Sequence, residues 1–237
     1  MGQQYLEMRA AEILHRFDPD GSRTTILDRP FMLELFGTPK SGKSTMKEML
    51  RHFFRRQGWK VSAPTEGAEI VELPRVEPEY NFQTTEYALG AARERFYNRR
   101  FHLVIFDRAI YDGVMRMEYY REKGVISPEQ QRLIEGYYLL PWNAEMFDMH
   151  VCLVASPEVA IKRELARALS KKHGETMNPE TLAGLLTAHE RMWERLGCDG
   201  NPAMAWHDSS LETEQETATA ILKAVFNAFA ARLDRAE

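Results

Sequence analysis

Five short runs of apolar residues are spaced along the chain, and longer segments with apolar residues at helical spacing lie between them. Only Glu34 puts a charge inside the first run. The runs lack an alternating polar face, which is typical of strands buried on both sides of a sheet. They cover residues 31–36, 59–63, 102–106, 150–155 and 204–207. Strands that alternate with helices in this way predict an α/β fold with a parallel sheet.

The segments between the runs carry the signals of helices. Proline and an acid follow Ser127, Ser156 and Asn178, which is a common pattern at a helix start. Prolines at 64, 74 and 78 instead predict a loop over residues 64–80. The predicted helices cover about residues 2–17, 44–57, 82–100, 110–122, 128–140, 157–172, 179–196 and 211–233.

The sequence divides into an N-terminal helix with a linker, residues 1–30, and a main domain, residues 31–237. Apolar residues at helical spacing in the first helix end at Phe17, and Asp18 to Ser22 then break the pattern. We expect this helix to cover part of the main domain. The alternative is an arm that binds a partner.

Composition and charge narrow the class of protein. The 237 residues are 44% hydrophobic and 28% charged, as in globular proteins. The 31 basic and 35 acidic side chains give a net charge of −4, which argues against binding a nucleic acid polymer. No apolar stretch approaches the roughly 20 residues of a membrane span, and the start lacks a signal pattern. Cys152 and Cys198 lack metal-ligand spacing, so we expect a reduced, cytoplasmic protein without zinc.

A phosphate-binding loop follows the first apolar run. The pattern G-x-x-x-x-G-K-[ST] needs glycines so that backbone N–H groups can surround phosphate oxygens, and it opens a predicted helix whose N-terminus favours anions. We therefore predict ATP and Mg²⁺ as cofactors, with the lysine on the β- and γ-phosphates and the serine on Mg²⁺. The loop residues are Gly37, Thr38, Pro39, Lys40, Ser41, Gly42, Lys43, Ser44 and the adjoining Thr45.

An acid and a base end the third run. Asp107 and Arg108 should lie near the phosphates, because ligands of parallel sheets bind at the carboxyl ends of strands. Asp107 could hold Mg²⁺, and Arg108 could bind the transferred phosphoryl group; a structural ion pair is the alternative. The residue after Asp107 is not the glutamate that motor ATPases use to activate water, and both a guanine-reading Asn-Lys-x-Asp and an ABC-type signature are absent.

Two further segments could contribute charged groups. Arg163, Arg167 and Lys171 recur every four residues, so they share a helix face and could form a lid over the phosphates at about residues 156–178. The alternative is a solvated basic face. Glu66 follows the second run and could accept the proton of an attacking hydroxyl, unless it is an ordinary loop glutamate.

Taken in order, these motifs resemble the deoxynucleoside kinase and thymidylate kinase group over roughly residues 31–225. The resemblance implies a three-layer P-loop kinase fold, with five parallel strands flanked by helices, a helical lid, and the phosphate loop after the central first strand. It implies that Glu66 is the general base and that Gln83 reads the base edge of the acceptor. Arg108 and Tyr111 match the motif that contacts the acceptor, and Arg163 and Arg167 match the lid.

Three positions depart from the family pattern. Ala109 stands where a small hydroxyl residue is usual, and Asp112 precedes Gly113 where a second Asp-Arg pair is often found. Lys171 to His173 replace the acidic run after the lid arginines. The aromatic residues Tyr80, Phe82, Tyr87 and Tyr111 could stack on a nucleobase or belong to the core.

The sequence therefore predicts an ATP-dependent kinase that phosphorylates a hydroxyl of a nucleoside or nucleoside-like small molecule. Its catalytic residues would be Lys43, Glu66, Asp107, Arg108, Arg163 and Arg167. One alternative is a nucleoside monophosphate kinase, in which the arginines of residues 93–100 bind the acceptor phosphate. Others are a different small-molecule kinase and a nucleotide-binding regulator without catalysis. A homodimer through the helix pair at 110–140 is a further expectation from the resemblance.

Overall fold

A five-stranded, all-parallel sheet forms the centre of the molecule in the computed structural model, which describes residues 2–21, 26–75, 77–167 and 176–236. The strand order is β2-β3-β1-β4-β5, so β1 is central and pairs with β3 and β4. All seven residues of β1 are buried, as its continuous apolar run predicts. The strands are β1 Phe31–Gly37, β2 Val61–Ser62, β3 Leu103–Asp107, β4 Met149–Val154 and β5 Met204–Asp208.

Helices cover both faces of this sheet and create two hydrophobic cores. One core joins the odd-numbered side chains of β1 to α1, α2 and α9, and the other joins its even-numbered apolar side chains to α3, α4 and α8. This is the three-layer α/β arrangement that the sequence predicts. The helices are α1 Gln3–Phe17, α2 Lys43–Arg56, α3 Pro78–Phe96, α4 Ile110–Glu122, α5 Pro128–Tyr138, α6 Pro141–Ala144, α7 Pro157–Arg167, α8 Pro179–Arg195 and α9 Glu214–Leu233.

Several element boundaries differ from the sequence prediction: α3 ends at Phe96 instead of about residue 100, and α9 begins at Glu214 instead of about residue 211. The strand predicted at 59–63 is shorter, because Trp59 turns into the core and its indole N–H donates to Ala10 O at 3.3 Å. Helix α3 begins at Pro78, within the predicted loop, since proline is tolerated in a first helical turn. The sequence analysis missed α6, a single turn too short to show periodicity.

The N-terminal helix α1 is part of the first core. Its residues Leu6, Ala10, Ile13 and Phe17 are buried, and the Phe17 ring packs between those of Trp59 and Phe229. This packing agrees with the expectation that the helix covers the main domain. None of the described helices combines the length and hydropathy that a transmembrane segment needs.

Candidate active site

The phosphate-loop motif closes tightly at the carboxyl end of β1. Gly37 has a φ of 134°, and a Cβ there would lie 1.8 Å from Leu153 O, so only glycine fits. Gly42, with a φ of 102°, is the N-cap of α2. The Thr38 hydroxyl accepts a hydrogen bond from Ala155 N at 2.9 Å. The loop is therefore fixed to β4, and α2 begins at its end as the motif predicts.

The side chain of Lys43 is buried beneath this loop. Its ammonium donates to the carbonyl oxygens of Thr38 at 2.6 Å and Gly37 at 3.1 Å. Burial, and next the charge of Arg108, lower the pKa of Lys43 to about 8. A cation that is poorly solvated in this way gains from a phosphate beside it.

Ser44 and Asp107 meet at the point where a metal ion would be needed. The Ser44 hydroxyl donates to Asp107 Oδ2 at 2.6 Å, and Lys47 Nζ lies 3.8 Å from the same oxygen. Asp107 Oδ1 is buried and, within the described residues, has no hydrogen-bond partner. A hard oxygen that is buried and unpaired beside a serine hydroxyl suits Mg²⁺, which typically takes one or two protein oxygens plus phosphate and water. The residues present fit this ion.

Arg108 joins two acidic side chains in front of the loop. Its Nε donates to Glu66 Oε1 at 2.6 Å, and its Nη1 donates to both Asp112 oxygens at 3.0 Å. Burial opposes the charge of Arg108, but the carboxylates of Asp112 and Glu66 outweigh it and raise the pKa of the guanidinium. Burial likewise opposes ionisation of Asp112, yet Arg108 and Arg116 lower the pKa of this carboxyl to about 2. Arg108 and Asp112 therefore stay ionised at neutral pH.

Glu66 differs from Asp112 in its electrostatic environment. Burial raises the pKa of Glu66 above its ordinary value, although Arg108 acts in the opposite direction. Glu66 lies at the start of the single 3₁₀ turn Gly67–Glu69, which packs against α3. A carboxylate with a raised pKa, oriented by an arginine, has the properties of a general base.

The predicted lid helix α7 contacts the phosphate loop. The Arg163 guanidinium donates to Lys40 O at 3.0 Å and to Ser209 O at 2.7 Å, and Lys40 Nζ lies 2.6 Å from Glu164 Oε2. Arg163 thus ties the loop to the segment between β5 and α9. The side chain of Arg167 and residues 168–175, on which the remaining lid prediction falls, lie outside the described residues.

Most of these groups line one cleft of about 720 Å³ at the carboxyl ends of the strands, among them Lys43, Ser44, Glu66, Asp107, Arg108 and Arg163. As far as the described residues define it, the lining leaves out two predicted substrate residues. Gln83 is exposed elsewhere on α3, and Tyr111 packs on His150 with ring centroids 4.3 Å apart. The arginines at 93–100 are likewise outside this lining. The part of the cleft beyond Glu66 is lined instead by Ala68, Glu69, Arg75, Tyr80, Asn81, Thr84 and Arg116.

Sequence reasoning missed three residues that contact or line the site. Asp112 and Arg116 follow Arg108 at intervals of four on α4, a spacing that could have indicated a shared face. Ser209 donates to Ser41 O at 2.8 Å and so supports the phosphate loop from β5. No local pattern identifies Ser209, because its role depends on the pairing of β4 with β5.

Comparison with solved structures agrees with this architecture. Deoxyadenosine kinase from M. mycoides with bound dCTP has a TM-score of 0.56 and 19% identity, covering 82% of this chain and 98% of that one. Thymidylate kinase from Candida albicans has a TM-score of 0.56 and 12% identity, covering 84% and 94%. No family model matches the sequence, and no curated protein matches it by sequence comparison.

Fold and site together define a P-loop domain in which the phosphate loop, a strand-end acid and helix α7 line one cleft. More particularly, the fold is that of the nucleoside and nucleotide kinases, as the motif resemblance implied. The five-stranded parallel sheet with a central first strand is thereby confirmed. At these levels of identity the similarity establishes the fold, and the activity has to be argued from the site.

Proposed function

We propose that the protein is an ATP-dependent kinase that transfers the γ-phosphoryl group to a hydroxyl of a nucleoside or nucleoside-like small molecule. The observation that carries this proposal is a single cleft in which Lys43, Ser44 and Asp107 lie on the phosphate-loop side and Arg108 and Glu66 lie in front of them. Such a cleft has cations for the phosphates and a carboxylate for the acceptor hydroxyl. Those are the groups that phosphoryl transfer requires.

Each residue has a distinct part in this mechanism. The loop N–H groups and Lys43 bind the phosphates of ATP, while Ser44 and Asp107 hold Mg²⁺. Bound Mg²⁺ neutralises negative charge on the phosphates. Glu66 accepts the proton of the acceptor hydroxyl, and Arg108 orients Glu66 and stabilises charge on the transferred group. Arg167 would contribute a second positive charge from the predicted lid, in addition to that of Arg163.

A nucleoside monophosphate kinase is the second candidate, and Arg116 favours it. This side chain is only 12% exposed, and its Nε approaches Asp112 Oδ2 at 3.8 Å. Among the described groups, Arg116 Nε has no hydrogen-bond partner, and burial lowers the pKa of the guanidinium. Because Arg116 and Arg75 both line the acceptor side of the cleft, they could bind an acceptor phosphate.

The test is to incubate the protein with ATP and Mg²⁺ and a panel of nucleosides and nucleoside monophosphates, and to identify products by mass. A new nucleoside monophosphate supports the leading proposal, and a diphosphate formed from a monophosphate supports the second candidate. Lys43→Ala should lower transfer at least 100-fold, whereas exposed Lys60→Ala should not change it. ATP binding without transfer to any member of the panel would contradict both nucleoside and monophosphate acceptors, and would favour a different small-molecule acceptor or a nucleotide-binding regulator.

Two other expectations belong to this proposal. Asp107→Asn should raise the Mg²⁺ concentration needed for half-maximal rate, because the unpaired carboxylate oxygen becomes a neutral amide group. A cytoplasmic location is proposed on the sequence features of Cys152 and Cys198, and a homodimer is proposed on the motif resemblance. The mass of the protein in solution tests the dimer.

A further inference from the structure

A buried carboxylate on the central strand contacts the start of α4. Glu34 is 0% exposed, and its Oε1 accepts hydrogen bonds from Ala109 N at 2.7 Å and Asp112 N at 3.2 Å. Its Oε2 accepts from Tyr111 N at 3.2 Å and lies 2.8 Å from His150 Nδ1. The side chain of Glu34, on β1, therefore accepts hydrogen bonds from three backbone N–H groups at the start of α4.

Helix N-termini normally obtain these acceptors from the N-cap side chain itself. The N-cap residue of α4 is Ala109, whose methyl group cannot accept a hydrogen bond. Buried N–H groups without a partner cost free energy, so this turn requires an acceptor from elsewhere. Glu34 supplies it from β1, which explains why a charged residue stands in an otherwise apolar strand.

The first turn of α4 in turn holds the candidate catalytic cluster. Arg108 directly precedes Ala109 and has a φ of 67°, a left-handed conformation that is unfavourable for a non-glycine residue and needs support from its surroundings. Its N–H donates to Leu35 O at 2.8 Å, one residue beyond Glu34 on β1. Asp112, which fixes the Arg108 guanidinium, lies on the turn that Glu34 caps. Strand β1 therefore determines where Arg108 lies.

We propose that Glu34 is a positioning residue of the active site. It replaces the N-cap side chain that Ala109 lacks, and through the first turn of α4 it places Arg108 and Asp112 for the reaction. This inference rests on the proposed kinase function for its catalytic consequence, whereas the capping of α4 can be measured without any reaction.

Glu34→Gln is the variant that tests this role. Glutamine keeps the volume and one acceptor oxygen, but its amide nitrogen is a donor and cannot accept a hydrogen bond as a carboxylate oxygen does. The variant therefore loses either the bond from Tyr111 N or the bonds from Ala109 N and Asp112 N. Ala109→Ser introduces a hydroxyl at the N-cap, where it can accept from an N–H of the first turn. Rescue of Glu34→Gln by Ala109→Ser would assign the effect to capping.

A matched control lies on the same helix. Glu118 is a buried glutamate like Glu34, but it lies on α4 itself and accepts hydrogen bonds from Gln131 at 2.7 Å and Arg195 at 2.9 Å, outside the cleft lining. Glu118→Gln, like Glu34→Gln, removes one buried carboxylate charge. It should therefore reproduce any loss of stability without the loss of activity.

Two readouts separate the capping from the reaction. Amide hydrogen exchange at residues 109–113 should be at least threefold faster in Glu34→Gln, unchanged in Glu118→Gln, and slower again in the double variant with Ala109→Ser. The kcat of Glu34→Gln should fall about tenfold or more, while the KM for ATP changes less than threefold because the phosphate loop is intact. The double variant should recover most of the lost kcat.

Each result either supports or overturns the inference. Unchanged exchange at residues 109–113 in Glu34→Gln shows that Glu34 does not cap α4. Faster exchange with an unchanged kcat overturns the positioning role, as does an equal loss of kcat in Glu118→Gln or a failure of Ala109→Ser to restore kcat once exchange is restored. If the wild-type protein phosphorylates no acceptor, the proposed function fails, and exchange alone still decides whether Glu34 caps the helix.

Discussion

Charged side chains that lie close together in a buried cleft set one another's protonation. Lys43 and Glu66 both have pKa values displaced by burial, in the direction that makes ionisation less favourable. Arg108 pairs with Glu66 and Asp112, which keeps Arg108 charged despite its own burial. Activity at this site should consequently depend on pH in ways that single substitutions can separate.

The pKa of Lys43, lowered to about 8, predicts opposite effects of alkaline pH on binding and on stability. As pH rises through about 8, the free enzyme loses the ammonium charge, so kcat/KM for ATP should fall. An unfolded lysine keeps its proton up to its ordinary pKa of 10.5, so between pH 8 and 10.5 the unfolded state binds more protons and stability should rise. Comparing urea unfolding of the wild type with Lys43→Met across this range isolates the contribution. A difference that does not change with pH would contradict the shift.

The raised pKa of Glu66 predicts how the activity depends on pH in the acidic range. A general base must be ionised, so activity should decline as pH falls through a value above the ordinary 4.5. Glu66→Gln should lower kcat about 100-fold or more and abolish that acid limb. Glu72→Gln is the control, because Glu72 lies on the same loop and is exposed; this variant should keep the wild-type kcat and the acid limb. An acid limb that persists in Glu66→Gln would assign the base to another group.

At the scale of elements, the phosphate loop depends on partners from distant parts of the chain. Thr38 bonds to the end of β4, Ser41 accepts from Ser209 after β5, and α7 contacts Lys40 through Arg163 and Glu164. The sequence predicted the loop and the helix separately. It could not predict their contact, because residues 40 and 163 approach only when β1 and β4 pair in register.

The two contacts of α7 should differ in importance. Arg163→Met removes hydrogen bonds to Lys40 O and to Ser209, and we expect the KM for ATP to rise about tenfold, since a loosened loop binds phosphates less well. Glu164→Gln breaks only a partly exposed ion pair with Lys40, worth at most about 1 kcal/mol. Measured ATP affinities of the two variants provide the comparison. Equal losses would contradict this ranking and show that the ion pair contributes as much as the Arg163 contacts.

Across the whole molecule, α1 shares a core with α9 and the sheet. Phe17 is buried among Trp59, His102 and Phe229, whereas Met8 on the same helix is 61% exposed. The alternative of a detached partner-binding arm gains no support from this packing. The helix instead contributes to the stability of the domain that holds the site.

Phe17→Ala should destabilise the whole domain. Loss of a buried aromatic ring and the resulting cavity cost about 3–5 kcal/mol, which denaturant unfolding can measure. Met8→Ala should stay within about 0.5 kcal/mol of the wild type, because its side chain is mostly in solvent. If Phe17→Ala unfolds with the same midpoint as Met8→Ala, α1 does not belong to the cooperative core.

The sequence by itself determined the features of the fold and site that depend only on residues adjacent in the chain. The motif at residues 37–44 specifies its own loop, because the required glycines and the following helix are contiguous. Apolar runs without polar alternation likewise identified β1, β3 and β4 as strands buried on both faces, whereas β2 and β5, at the two edges of the sheet, are only partly buried. Asp107 and Arg108 could be assigned to the cleft from their place at a strand end.

Tertiary structure alone decided which distant side chains complete the site. The sequence prediction placed Gln83 and Tyr111 at the acceptor, but the described cleft is lined by Asn81 and Arg116. A helix places a side chain according to its rotation about its own axis, and the packing of α3 and α4 on the sheet fixes that rotation. The role of Glu34 is likewise decided by tertiary structure, because a charge within an apolar strand can cap a helix only when the N-terminus of α4 lies against it.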